Sequence, residues 1–297
     1  MNDIKQLRES FRKSETDHIK KGNFVGLMLT AYLGSVQFGI LISQWNVAWN
    51  AFAYQKDLDP DTETTQESYI NNMVVQTVTV VGAAIGSLSA GIVVKYGRLK
   101  CLIVSNIILI IGCFLQIFYT NFGLFNVGRL LYGLAVGGFS VFSNQYVSEI
   151  APKEVSGPAG SLMQVTVVCG GLIPTAFGFV NLEPDDDALQ KEVLYSLILI
   201  PVGVAALQLL LLLTIYRIDT PVYYNQKGDM ASMRRALGYV YKPHAIEHKV
   251  NELLHRDENT LTDENQDEQD EVTYHDICCN PLFRKATYVG ITLAICQ

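Results

Sequence analysis

The chain has 297 residues, 49% of them hydrophobic and 17% charged, with a formal net charge of -7. Its apolar excess is gathered into six stretches of roughly 19 to 26 residues, against about 20 needed to cross a bilayer as a helix. Those numbers argue against a soluble enzyme, a nucleic-acid binder or a disulfide scaffold, and for an all-α integral membrane protein.

The leading segment, 1–22, is mixed in charge and carries Lys5, Arg8, Arg12, Lys13, Lys20 and Lys21. It lacks the pattern of a signal peptide, and its acids, Asp3, Glu9, Glu15 and Asp17, make it a poor transit peptide. The six apolar stretches then follow: Phe24 to Ala48, Ile70 to Val94, Cys101 to Tyr119, Phe122 to Val147, Ala159 to Val180 and Val193 to Tyr216. Strands of a membrane barrel would be half as long and would alternate, so these stretches read as helices.

Only the fourth stretch holds a charge, Arg129. Between the second and third lie Lys95, Arg98 and Lys100, whereas loops of the opposite parity hold Lys56, nothing, and Lys191. The positive-inside rule therefore places the N-terminus, the even-numbered loops and the segment 218–285 on the cytoplasmic side of the membrane or its organellar equivalent. The six cysteines fall in spans or on that same side, which leaves no partners for a luminal disulfide. An organelle, the mitochondrial inner membrane included, and the plasma membrane both stay open.

Small residues punctuate the spans, with Gly82, Gly86 and Gly91 in the second and Gly133, Gly137 and Gly138 in the fourth. Such residues let helix backbones approach closely. Polar side chains within the spans, Gln37, Gln76, Asn106, Gln116, Arg129, Asn144, Gln145 and Gln164, are costly in hydrocarbon. They serve either as interhelical glue or as the lining of a cavity. Arg129 needs an acceptor, and Glu149 is the expected member of its network, near the cytoplasmic end of the bundle.

Past the sixth span, Asp229 is placed to cap a helix with an apolar stripe of Met230, Met233, Leu237 and Val240, and a second helix is expected around Ile246, Val250, Leu253 and Leu254. His244-Ala-Ile-Glu247-His248 in that helix matches a short zinc-protease string but has no third ligand and no enclosing domain. Cys278 and Cys279 beside His275 lack the spacing of a zinc clamp. No metal, no cofactor and no enzymatic activity are expected. Ten acidic residues between Glu252 and Asp276 read as a solvated linker or as a dock for a basic partner. A last apolar run begins at Ala286 and reaches Gln297, and twelve helical residues rise only about 18 Å against a core near 30 Å.

Five motifs carry a resemblance: Leu33-Gly-Ser-Val-Gln-Phe-Gly39, Gly82-Ala-Ala-Ile-Gly-Ser-Leu-Ser-Ala-Gly91, Gly128-Arg-Leu-Leu-Tyr-Gly133, Tyr146-Val-Ser-Glu-Ile-Ala-Pro152 and Gly157-Pro-Ala-Gly-Ser-Leu-Met-Gln164. In order and spacing they resemble the sugar-porter branch of the major facilitator superfamily, from about Val25 to Gln297. That resemblance implies a transporter of two six-helix halves with hexose bound between them, this chain matching the N-terminal half, the connector helices and the start of a seventh span. It implies Gln164 and Gln297, with Gln37, as sugar-binding positions, and Arg129, Glu149, Arg98 and Asp219 as the charge network that gates the cytoplasmic side.

The departures are specific. Gly91 to Lys100 is one residue shorter than the family's loop and has no acid, Ser156 stands at an Arg position, and Ile218-Asp219-Thr220-Pro221-Val222 replaces Pro-Glu-Ser-Pro-Arg. Leu41 replaces an Asp or Asn, so proton symport through that position has no titrating group. The cytoplasmic latch is therefore expected to be incomplete. Two readings follow: a degenerate half transporter serving as a structural or accessory subunit of a larger membrane complex, in contact with lipid and protein partners, or a facilitative hexose transporter whose C-terminal half is missing or supplied by another chain.

Overall fold

The computed structural model describes residues 18–55, 66–178 and 187–266. Six long helices dominate it: α1 (Lys21–Gln55), α2 (Gln66–Val93), α3 (Arg98–Gln116), α4 (Phe122–Ile150), α5 (Lys153–Gly178) and α6 (Asp187–Thr214). Each holds a stretch long and apolar enough to cross a membrane. Helical bonding is forced there because a backbone amide in hydrocarbon meets no water and must be satisfied within its own segment. All six coincide with the expected spans. The end of the bundle that carries Arg98 and Arg217 is called its basic end below.

Packing follows from small residues. Helices α2 and α4 lie against one another, as do α3 and α4, α1 and α5, and α1 and α6, so α1 and α4 form the centre. A Cβ on Gly133 or Gly137 would run into the backbone of Thr79 or Ala83, and one on Gly82 or Gly86 into that of Leu130 or Leu134. Lipid tails are as apolar as the side chains, so close backbone contact of this kind, rather than a hydrophobic drive, holds the pair together. Around it the core is filled by Phe52, Leu102, Phe125, Tyr132 and Phe139.

Three further helices follow the sixth span: α7 (Pro221–Gln226), α8 (Met230–Val240) and α9 (Pro243–Gln266). Thr220 caps α7 by accepting from Tyr223 N, with Pro221 in the first turn where its missing N–H costs nothing. Asp229 caps α8 through Ser232 N at 3.0 Å. Of the apolar stripe, Met233, Leu237 and Val240 are buried together with Ala236, whereas Met230 is exposed.

A strap crosses this region. Ile19 and Tyr241 form an isolated antiparallel bridge, Lys20 N donates to Val240 O at 2.7 Å and Lys242 N to His18 O at 2.8 Å. Lys20 Nζ donates to Gly238 O, one of the carbonyls left free at the end of α8. His18 Nδ1 meets His244 Nε2 at 2.6 Å.

The chain forms two compact units, Met1–Val250 and Asn251–Gln297, and the bundle, α7 and α8 belong to the first. In the second, residues 251–266 are helical, which carries the expected second helix past Leu254 into the acidic run. Neither Gly nor Pro occurs between Pro243 and Pro281, and Leu, Glu and Gln favour the helix. His275, Cys278, Cys279, Gln297 and the run from Ala286 lie outside the described residues.

Candidate functional site

At the basic end, Arg98 opens α3 with its side chain almost wholly buried. Its Nε and Nη2 donate to Glu149 Oε1 at 3.0 and 2.7 Å, and Thr220 Oγ1 donates to Glu149 Oε2. Asp219 sits across the same junction, accepting from Arg98 N at 3.1 Å, Leu99 N at 3.2 Å and Thr220 N at 2.9 Å. Its carboxylate thus caps the first turn of α3, a helix preceded by Gly97 at φ 114 rather than by a capping side chain. A Cβ on Gly97 would collide with that carboxylate. Burial pushes the Asp219 carboxyl above its ordinary value, opposed by the three amides and by Arg98.

Arg98, Glu149 and Asp219 therefore meet as one network, joining the turn between α2 and α3, the end of α4 and the start of the connector. The charges whose loss led to the expectation of an incomplete latch, an acid in the 91–100 loop and basic residues at Ser156 and Val222, are absent from this network.

Arg129 is elsewhere, which corrects its expected pairing with Glu149. The two share α4, but twenty residues of helix separate them by about 30 Å. Arg129 lies towards the opposite end of the bundle, 2% exposed. Its Nη1 donates to Gln44 Oε1 at 3.3 Å, and its guanidinium stands 4.6 Å from the centre of the Trp45 ring. A cation over an indole face is favourable, more so away from water.

Gln44 has a second duty. Pro201 interrupts α6, and its missing N–H leaves the carbonyl of Leu197 without a helical donor. Gln44 Nε2 donates to Leu197 O at 2.6 Å. One amide thereby joins α1, α4 and α6. Gln44 was not singled out from the sequence. The signal for it was indirect, in a span proline and a lone span arginine that both needed partners.

Gln37, one heptad earlier on α1, faces the same helix and donates to Pro201 O at 2.7 Å. It is fully buried and does not line the recess described next.

Ser35 and Phe38 of α1, Ser140 and Asn144 of α4, and Met163 and Gln164 of α5 line a recess of about 190 Å³. Gly160 also borders it, and a Cβ there would meet nothing within 4 Å. The lining carries no ionised group. Ser140 Oγ donates to Gly137 O, the Ser35 hydroxyl is buried without a partner, and Asn144 and Gln164 are exposed. The recess presents amides and a hydroxyl beside the half-exposed ring of Phe38, an arrangement for a small neutral polar molecule. Among the described residues, Gln164 is the one sequence-derived sugar-binding position that it contains; Asn144 was named only among the polar span residues that could line a cavity, and Ser35 was not singled out.

The zinc-protease string is otherwise engaged. Arg234 Nε and Nη2 donate to Glu247 at 3.0 and 3.4 Å, and His244 meets His18.

The fold has counterparts among solved structures. Solved structures of the proton:xylose symporter XylE, a major facilitator superfamily protein, superpose with a TM-score of 0.70 at 18% identity, over 79% of this chain and 53% of that one. An inward-open form from E. coli gives 0.62 at 20% identity, over 78% and 56%. These show the fold, that of a six-helix half.

Among sequences, the chain is 27% identical to hexose transporter 1 of Toxoplasma gondii over 250 residues, 78% of this chain and 43% of that protein. It is 33% identical to myo-inositol transporter 1 of Saccharomyces cerevisiae over 195 residues, 63% and 31% respectively. With human solute carrier family 2, facilitated glucose transporter member 5, it shares 34% over 182 residues, 60% and 35%. The chain thus spans less than half the length of these curated relatives. The family described as sugar (and other) transporter matches residues 27–297. Six apolar helices, a buried Arg98–Glu149 pair at their basic end and an uncharged recess between α1, α4 and α5 are the frame of a multi-pass membrane protein that belongs to the sugar (and other) transporter family.

Proposed function

We propose that the chain supplies the N-terminal half of the translocation path of a facilitative transporter for hexoses or related polyols. The observation that carries this reading is the recess between α1, α4 and α5. It offers the amides of Gln164 and Asn144 with no charge among its lining residues, and neutral hydrogen-bonding groups beside an apolar ring suit a sugar. The printed names of the relatives, which include hexose, glucose and myo-inositol transporters, support the same substrate class.

Uniport is the mode that the chemistry favours. Leu41 cannot titrate, and among the described residues Arg129 is held by Gln44, Trp45 and Tyr132 rather than by a carboxylate. The accessory-subunit reading rested in part on lost loop charges. With Arg98, Glu149, Asp219 and Thr220 joined, that ground carries less weight, and transport is the reading adopted.

The test is stereospecific retention by liposomes containing the purified chain. Labelled D-glucose retained saturably over L-glucose, without dependence on a proton gradient and with loss on Gln164→Ala, is the expected result. Equal retention of the two enantiomers would overturn it.

A further inference from the structure

We infer that Asn144 is a second sugar-contacting residue, forming with Gln164 an amide pair that reads adjacent hydroxyls of the substrate; this rests on the transport reading above. The argument begins with what the other amides of the spans do. Gln37, Gln44, Asn106, Gln116, Asn126 and Gln208 each donate to a carbonyl inside the bundle. Asn144, Gln145 and Gln164 have no such bond among the described residues, and of these Asn144 and Gln164 border the recess. An amide in a membrane span that is neither bonded nor withdrawn from the surface is costly unless it faces water or a ligand.

Position on the helix makes the assignment specific. Ser140 and Asn144 are four residues apart and share one face of α4, and both reach the recess. The next residue, Gln145, is turned about 100° away, and its Oε1 is buried. Asn144 is therefore held towards the recess by the packing of its own helix: the neighbouring Ser143 and Tyr146 are buried in the bundle.

From the opposite wall, Gln164 lies on the α5 face that also carries Gly160 and Met163. With no side chain at Gly160, nothing stands within 4 Å of its Cβ position to fill the space. An amide offers a donor and an acceptor side by side. Two of them meet a vicinal diol, in which one hydroxyl gives a proton and the other receives one, better than they meet an isolated hydroxyl or an apolar group.

Equilibrium binding of labelled D-glucose and its singly deoxygenated analogues to the purified full chain in detergent tests this. For the wild-type protein, loss of one particular hydroxyl should weaken binding about 5- to 10-fold, the size of one or two hydrogen bonds. Asn144→Ala should bind the parent sugar about 5- to 10-fold more weakly and no longer discriminate against that one analogue, while still discriminating at the hydroxyl read by Gln164. Asn144→Asp, which keeps the shape and loses the donor, should show the same selective loss with an unchanged thermal midpoint. Wild-type affinities across the panel in Asn144→Ala would overturn the assignment and leave the transport reading standing. A uniform weakening with a lowered thermal midpoint would also overturn it, by making Asn144 a packing residue. Failure of the wild-type protein to prefer any D-sugar to L-glucose would instead remove the transport reading, and the assignment with it.

Discussion

Arg98 and Glu149 form an ion pair at 2.7 Å with little solvent around either side chain. Taking both charges out of water is expensive, so the pair itself adds little net stability, but removing one partner strands the other. Arg98→Ala and Glu149→Ala should each cost about 3–5 kcal/mol, and the double variant much less than the sum, as read from denaturation of the purified protein. Additive losses would mean that the two side chains do not depend on one another. Asp219 has a different signature. Burial raises its carboxyl above the usual 3.8, so the folded protein holds that proton more tightly than the unfolded chain does. The resulting stabilisation is complete below the usual value and is lost as the pH rises through the folded one. The thermal midpoint of wild type relative to Asp219→Asn should therefore be highest in acid and fall on the way to neutrality, and a difference that grows with pH would contradict this sign.

At the scale of helices, the spans were legible because their cause is local: a run such as Val193 to Tyr216 has no charge to hold it in water and enough length to cross. The cap of α8 was legible for a like reason, since Asp229 precedes the stripe that it initiates. Partnerships between helices were not legible. Arg129 and Glu149 look like natural partners when only residue type is considered, yet the rise of α4 carries them to opposite parts of the bundle. Gln44 answers a need created 157 residues later by Pro201, and no window of sequence contains both. That pairing can be tested directly. Gln44→Leu strands the Leu197 carbonyl and an Arg129 donor and should destabilise by about 2–4 kcal/mol, the usual cost of leaving buried groups unsatisfied. In a Pro201→Ala background, residue 201 regains an N–H for Leu197, so the same substitution should cost measurably less. An equal cost in both backgrounds would show that Gln44 acts only through Arg129.

For the molecule as a whole, the loop charges set the expected sidedness. Pro60→Cys and Asn265→Cys should be labelled by an impermeant thiol reagent from opposite sides of sealed vesicles, in a protein whose native cysteines have been replaced. Labelling from the same side would refute the six-span topology. The recess was legible only in part. Gln164 could be placed by its motif, but Ser35 and Asn144 join it through the packing of α1 and α4, and Gln37, equally polar and in a neighbouring motif, is turned towards α6.

The strap at the basic end also bears on how the protein is made. Its two strands are the chain just before α1 and the turn between α8 and α9, so Lys20 N must wait for Val240 O, and His18 O for Lys242 N. A contact between residues so far apart in sequence closes late, after the local helices have formed. During synthesis all six spans must be inserted and the connector must have left the ribosome before this closure is available. A nascent chain halted after the fourth or the fifth span would keep its leading segment unfastened at the membrane surface. The clasp is thus a mark that the first six spans are in place, and protection of Ile19 and Lys20 from proteolysis would appear only at that stage of biogenesis.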